Sequence, residues 1–144
     1  MVRKAELQDA ADVAGLAVRL WPEHAAEEME REYRALLSEA GCAVFLSVHD
    51  GKPNGFAQCQ LRRDYVEGTE TSPVGYLEGV FVDEPFRKQG VANKLLTACE
   101  DWAREQGCTE FASDCELTNT DSLRFHLHSG FTEANRIICF VKAL

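Results

Sequence analysis

The 144-residue chain contains no apolar run near the roughly 20 residues that a bilayer-spanning helix needs, so no membrane role is expected. Met1 to Glu6 turns polar at once and lacks the apolar core of a secretory signal, which gives the expectation of a cytoplasmic location. Positive charge is scarce, with 15 Lys and Arg against 24 Asp and Glu and a net charge of −9. Nucleic acid selects basic surfaces, and this balance argues against it as a partner. The six cysteines form no C-x-x-C pair, and the four histidines show no ligand spacing relative to them. No metal is expected, and the cysteines read as reduced thiols, several of them in the core. Nothing marks any of them as an activated nucleophile. The acid surplus is open to two readings. It serves solubility, or it lines a cleft that attracts a polycation.

What is present is ordinary for a soluble globular chain, at 45% hydrophobic and 27% charged residues. The length fits one domain over residues 1–144, with no repeat or linker. Val13, Leu16, Ala17 and Leu20 mark a helix that Trp21-Pro22 ends. Met29, Tyr33, Leu36, Leu37 and Ala40 mark a second, stopped by Gly41. A strand from Cys42 to Val48, a breaker-rich hairpin turn from His49 to Gly55 and a strand from Phe56 to Arg62 follow. Val74 to Val82 reads as a long strand, Val91 to Gln106 as the best helix, and Thr109 to Asp114 as a short strand. Asn119 or Thr120 can cap a last helix ending near Gly130, and one or two closing strands are expected between Phe131 and Leu144. The order predicts a mixed α/β sheet rather than a doubly wound nucleotide fold.

The most informative segment joins that long strand to the best helix. Arg87-Lys88-Gln89-Gly90-Val91-Ala92 forms a glycine-containing loop before Asn93, where free backbone N–H groups and the helix dipole can hold a phosphate. This loop in this order of elements resembles the GCN5-related N-acetyltransferase (GNAT) superfamily. The resemblance implies a mostly antiparallel mixed sheet of six to seven strands, about four helices and a bulged, splayed central strand. It also implies that residues 87–93 grip the pyrophosphate of acetyl-CoA, while Val80, Phe81 and Val82 meet its pantetheine arm as an added strand would. Asn119 would help from the last helix.

A closer similarity lies in Leu20-Trp21-Pro22-Glu23-His24, Tyr65-Val66-Glu67-Gly68-Thr69, Ser72-Pro73-Val74, Leu77-Glu78-Gly79-Val80-Phe81-Val82 and Ala112-Ser113-Asp114. Together these are similar to aminoglycoside 6′-N-acetyltransferases. That likeness implies direct transfer of acetyl from acetyl-CoA to a small polycationic amine, in a homodimer, with drug resistance as the outcome. Trp21, His24, Tyr65, Glu78, Asp114 and Asn135 would bind the acceptor. Glu78 interrupts an apolar strand, and a desolvated carboxylate there can serve as the base near neutral pH. An amide near Val80 could stabilise the oxyanion.

Two positions depart from the pattern. His126 stands where relatives often carry the tyrosine that protonates the departing thiolate; an imidazole can do this, or it only contacts the cofactor. Asn135 replaces a glutamate, keeping a hydrogen-bond acceptor without the charge. Another amine acceptor, such as a polyamine, an amino sugar or a peptide N-terminus, is the alternative reading. A non-catalytic CoA-binding module is the third.

Overall fold

The computed structural model describes residues 1–144. Along the chain run β1 (Val2–Lys4), α1 (Ala10–Leu20), α2 (Ala26–Leu36), β2 (Cys42–His49), β3 (Lys52–Arg62), β4 (Val74–Val82), α3 (Val91–Glu105), β5 (Phe111–Ser113) and α4 (Thr120–His128). The strands form one sheet in the order β1-β2-β3-β4-β5. Every neighbouring pair is antiparallel except β4 and β5. That one parallel pair follows from the connection: α3 carries the chain back to the start of the sheet before β5 begins. No helix is long and apolar enough to cross a membrane.

Helices cover both faces of the sheet. Val13, Leu16 and Ala17 of α1 and Met29 and Tyr33 of α2 pack on Val44, Leu46 and Phe56. Leu95, Leu96, Cys99, Trp102 and Ala103 of α3 pack on the other face against Ala57, Cys59, Leu77 and Val82. β3 thus lies in the middle of the molecule, with Phe56 buried towards one helix layer and Ala57 towards the other.

Three expectations need correction. The hairpin turn is shorter than read, because Asp50 and Gly51 take φ values of 49° and 74° and close it by themselves. His49 then pairs with Lys52, and Pro53, Asn54 and Gly55 belong to β3. α2 stops at Leu36 rather than near Gly41. Its end tightens into shorter turns, with Ser38 N–H donating to the Ala35 carbonyl at 3.1 Å and Glu39 N–H to the Leu36 carbonyl at 3.0 Å.

The third correction is the strand count, which is five and not six to seven. Phe131 packs its ring against Phe111 and His126, but no strand forms after it. Ile137, Ile138, Phe140 and Val141 are exposed. An apolar run becomes a strand only where another strand offers N–H and C=O partners. This one joins no ladder.

The sheet opens on one side of β4. Gln58 pairs with Gly79 and Cys59 with Leu77, so Glu78 is the extra residue of a bulge in β4. Beyond Leu77, β4 has no partner on its β5 side, since the parallel ladder covers only Gly75, Tyr76 and Leu77. The expected bulge and splay are therefore present, centred on Glu78. They leave the edge from Glu78 to Val82 free.

Candidate active site

The free edge of β4 leads to the start of α3. Gly90 caps that helix at φ 81°, a conformation that favours glycine, and a side chain added there would meet open space. The first bond of the helix runs from Lys94 N–H to the Gly90 carbonyl at 3.1 Å, so the N–H groups of Val91, Ala92 and Asn93 project from the helix start. Arg87 donates through Nε to the Val82 carbonyl at 2.7 Å, and its guanidinium lies 5.5 Å from the Phe81 ring centre. Arg19, bonded to Asp83, stands 5.9 Å from the same ring centre. Asn93 accepts a bond from the Ser129 hydroxyl at 2.8 Å, which ties the end of α4 to this corner. The Asn119 side-chain oxygen Oδ1 is spent on capping α4, accepting from Ser122 N–H at 3.1 Å. Gln89 turns its amide back to the Pro85 carbonyl, and Lys88 takes a φ of 62° in the loop.

On the α1–α2 side of the bulge lies a cleft of about 390 Å³ lined by Trp21, Glu23, His24, Met29, Glu32, Tyr33, Leu36, Gln58 and Glu78. Three of these are carboxylates, and no lysine or arginine lines it. The end of α1 before Pro22 places Trp21 directly over Gly79, where an added Cβ would sit 2.7 Å from the indole. His24 lies 3.7 Å from Glu23. Tyr33 donates its hydroxyl to Gln58 Oε1 at 2.6 Å, and burial pushes that phenol above its ordinary range. The cleft therefore gathers Trp21, His24 and Glu78. Tyr65 is exposed on its loop, and Asn135 is outside the cleft too, donating to Glu67 at 3.0 Å.

Glu78 is not the isolated, desolvated carboxylate that the apolar strand suggested. Arg62 donates to it through Nε at 3.1 Å and through Nη2 at 2.8 and 3.1 Å, and the Glu78 side chain is 21% exposed. The same guanidinium lies 3.5 Å from the ring centre of Tyr76. Tyr76 in turn donates its hydroxyl to Asp114 at 2.5 Å, with burial and then that carboxylate holding the phenol above its usual range. Glu78 and Asp114 are thus joined through Arg62 and Tyr76. Neither linking residue carried a signal in the sequence, because each acts across strands and not within a contiguous motif.

His126 reaches the tip of the split between β4 and β5. Its Nε2 lies 2.8 Å from the Ser113 hydroxyl, and its Nδ1 lies 2.7 Å from the Ser122 carbonyl. Ser113 also donates to the Leu77 carbonyl at 3.3 Å, across the last rung of the ladder. Two of the cysteines are poor nucleophiles: a hydrogen bond with Cys59 and burial hold the Cys99 thiol well above its ordinary value, and burial pushes Cys42 to about 11. No group of three or more His, Cys, Asp or Glu side chains is placed to hold a metal.

Residues 10–131 match the acetyltransferase (GNAT) family. An aminoglycoside N(6′)-acetyltransferase type 1 of Serratia marcescens is 41% identical, over 91% of this chain and 92% of its own. One of Klebsiella aerogenes is 40% identical over 100% and 97%. Among solved structures, AAC(6′)-Iy bound to the bisubstrate analogue CoA-S-monomethyl-acetylneamine superposes with a TM-score of 0.95 at 36% identity, over 100% of this chain and 98% of that one. AAC(6′)-Ih of Acinetobacter baumannii gives 0.93 at 34% identity, over 100% and 98%. The free β4 edge, the open start of α3 and these likenesses agree: the chain belongs to the GNAT acetyltransferase family.

Proposed function

We propose that this chain transfers the acetyl group of acetyl-CoA to the 6′-amine of aminoglycosides, by direct attack in a ternary complex, and so confers drug resistance. One observation carries the reading. A carboxylate-lined cleft meets a free strand edge at the Glu78 bulge, and that edge leads to an open helix start. The residues present fit acetyl-CoA. Its pyrophosphate suits the amides from Lys88 to Asn93, with Arg87 beside them, because the helix start offers unused donors and Gly90 leaves room. Its pantetheine arm suits the edge formed by Val80, Phe81 and Val82, as a strand would.

The acceptor enters from the other side. Trp21 stacks on a sugar ring, while Glu23, Glu32 and Glu78 supply negative charge. His24, Tyr65, Asp114 and Asn135 extend the binding surface along the rim. A substrate ammonium competes with Arg62 for Glu78, and the freed carboxylate takes the proton that the amine must lose, directly or through water. The amine then attacks the thioester carbon, and the amide near Val80 stabilises the oxyanion. The domain spans residues 1–144 and works in the cytoplasm as a homodimer, for which the exposed apolar run from Ile137 to Val141 offers a contact surface.

Thiol release from acetyl-CoA with kanamycin-type aminoglycosides, spermine and a peptide panel tests the reading. Turnover of 6′-amino aminoglycosides is expected. Turnover of spermine without any aminoglycoside would assign the acidic cleft to polyamines. Acetyl-CoA binding without thiol release from any amine would leave a binding module.

A further inference from the structure

We propose that Ser113 is the group that hands a proton to the departing CoA thiolate, with His126 acting only through it; this rests on the acetyl-transfer reading above. Both ring nitrogens of the imidazole already have partners. Its Nδ1 faces the Ser122 carbonyl at 2.7 Å, and a carbonyl only accepts, so that nitrogen carries a proton. Its Nε2 faces the Ser113 hydroxyl at 2.8 Å. The rings of Phe125 and Phe131 lie 5.5 and 5.0 Å from the imidazole centre. Ser113 is the last residue of β5 and pairs with Leu77, the last paired residue of β4 before the sheet opens. Its hydroxyl therefore stands at the tip of the split. From Val82 to Glu78 the free edge spans about 13 Å at the usual strand rise of about 3.3 Å per residue, so an arm laid along it from the start of α3 ends its run beside that hydroxyl.

The step balances. The amine nitrogen bonds to the thioester carbon, the carbon–sulfur bond breaks, and sulfur leaves with the electron pair. The Ser113 O–H proton moves to sulfur as the Nε2 proton of the imidazolium moves to the Ser113 oxygen. His126 is left neutral with its remaining proton on Nδ1, against the Ser122 carbonyl, and takes up another from solvent. With a charged imidazole, Nε2–H donates to the Ser113 oxygen, which leaves the hydroxyl proton free to point at the Leu77 carbonyl or the cleft; the 3.3 Å contact fits this arrangement.

Single-turnover thiol release with an aminoglycoside acceptor is to be measured for the wild-type chain, Ser113→Ala, Ser113→Thr, His126→Gln and the double variant. Ser113→Ala should slow the step about 100-fold, a usual share for a placed proton donor, while the acetyl-CoA Kd stays within twofold. Ser113→Thr should restore most of the rate. The double variant should be no slower than the worse single one, because the two residues act as a unit. In ¹⁵N spectra of the chain without substrate, Ser113→Ala should move the His126 Nε2 resonance and leave Nδ1 in place. A Ser113→Ala rate within twofold of wild type, multiplying losses in the double variant, no rescue by Thr, or an unmoved Nε2 resonance would each overturn the proposal. A wild-type chain that acetylates no amine defeats the functional reading instead, and does so before any variant is compared.

Discussion

The two sides of the cleft are made of different material. The acetyl-CoA side is backbone: the free edge of β4, the amides that open α3, and Gly90 at φ 81°. The acceptor side is side chains that hold one another, with Arg62 on Glu78, Tyr76 on Asp114 and Asn135 on Glu67. Backbone geometry is set once the strand and helix form, so the donor side is complete before its ligand arrives. The acceptor side must exchange internal bonds for bonds to substrate. Its affinity is a difference between two sets of charged contacts, and its range of substrates is the easier to change.

The largest effect should come where the two sides meet. Glu78→Gln keeps the shape of the side chain, removes its charge and leaves it unable to take a proton. Transfer should fall about 100-fold, while the acetyl-CoA Kd measured by calorimetry stays within twofold. Equal losses in both would erase the division between the sides. Gly90→Val is the mirror of that test. It forces a branched residue into a left-handed conformation at a cost of about 1–2 kcal/mol, which predicts acetyl-CoA binding weaker by about tenfold and aminoglycoside binding unchanged. Weaker aminoglycoside binding in the folded variant would show that the helix start also shapes the acceptor cleft.

Arg62→Ala separates two roles for the side-chain network. If Arg62 occupies the place of a substrate ammonium, its removal adds one unit of negative charge to the cleft. Binding of kanamycin-type compounds and of spermine should then tighten, by about fivefold at low salt and less at high salt. Weaker binding of both would make Arg62 a scaffold that holds Glu78 and Tyr76 in position. Calorimetry at two salt concentrations separates the outcomes.

This difference in material also decided what could be read from the chain. The donor loop was legible because its parts are contiguous: an apolar strand, then Arg87 to Ala92, then a helix with one buried face. Glu78 stood out because a carboxylate breaks an apolar run, and the same oddity marks the bulge. Arg62, Tyr76 and Gln58 gave no such sign. Their partners lie 16 to 38 residues away, on elements whose packing no local pattern reveals. The closing strands failed for a related reason. Ile137 to Val141 has the composition of a strand, but a strand also needs a neighbour, and pairing is not a property of the segment alone.

The smallest effect on transfer is expected from a carboxylate outside both sides of the cleft. Asp9 accepts bonds from the Arg3 guanidinium at 2.8 and 2.9 Å and from Glu6 N–H at 2.7 Å, fastening β1 to the start of α1. The Arg3 bond, more than any other contact, holds the Asp9 carboxyl below its ordinary range. A carboxyl whose folded pKa is depressed stabilises the fold above its unfolded value of about 3.9, and that gain is lost as pH falls through the lower folded value. Asp9→Asn should therefore cost about 2 kcal/mol at pH 7, read from the urea midpoint, and clearly less near pH 3. Both Kd values should remain within twofold of wild type. A loss of the same size at both pH values would mean that Asp9 acts through packing and hydrogen bonding and not through its charge. A change in either Kd would mean that the cleft depends on how α1 begins as well as on Trp21 at its end.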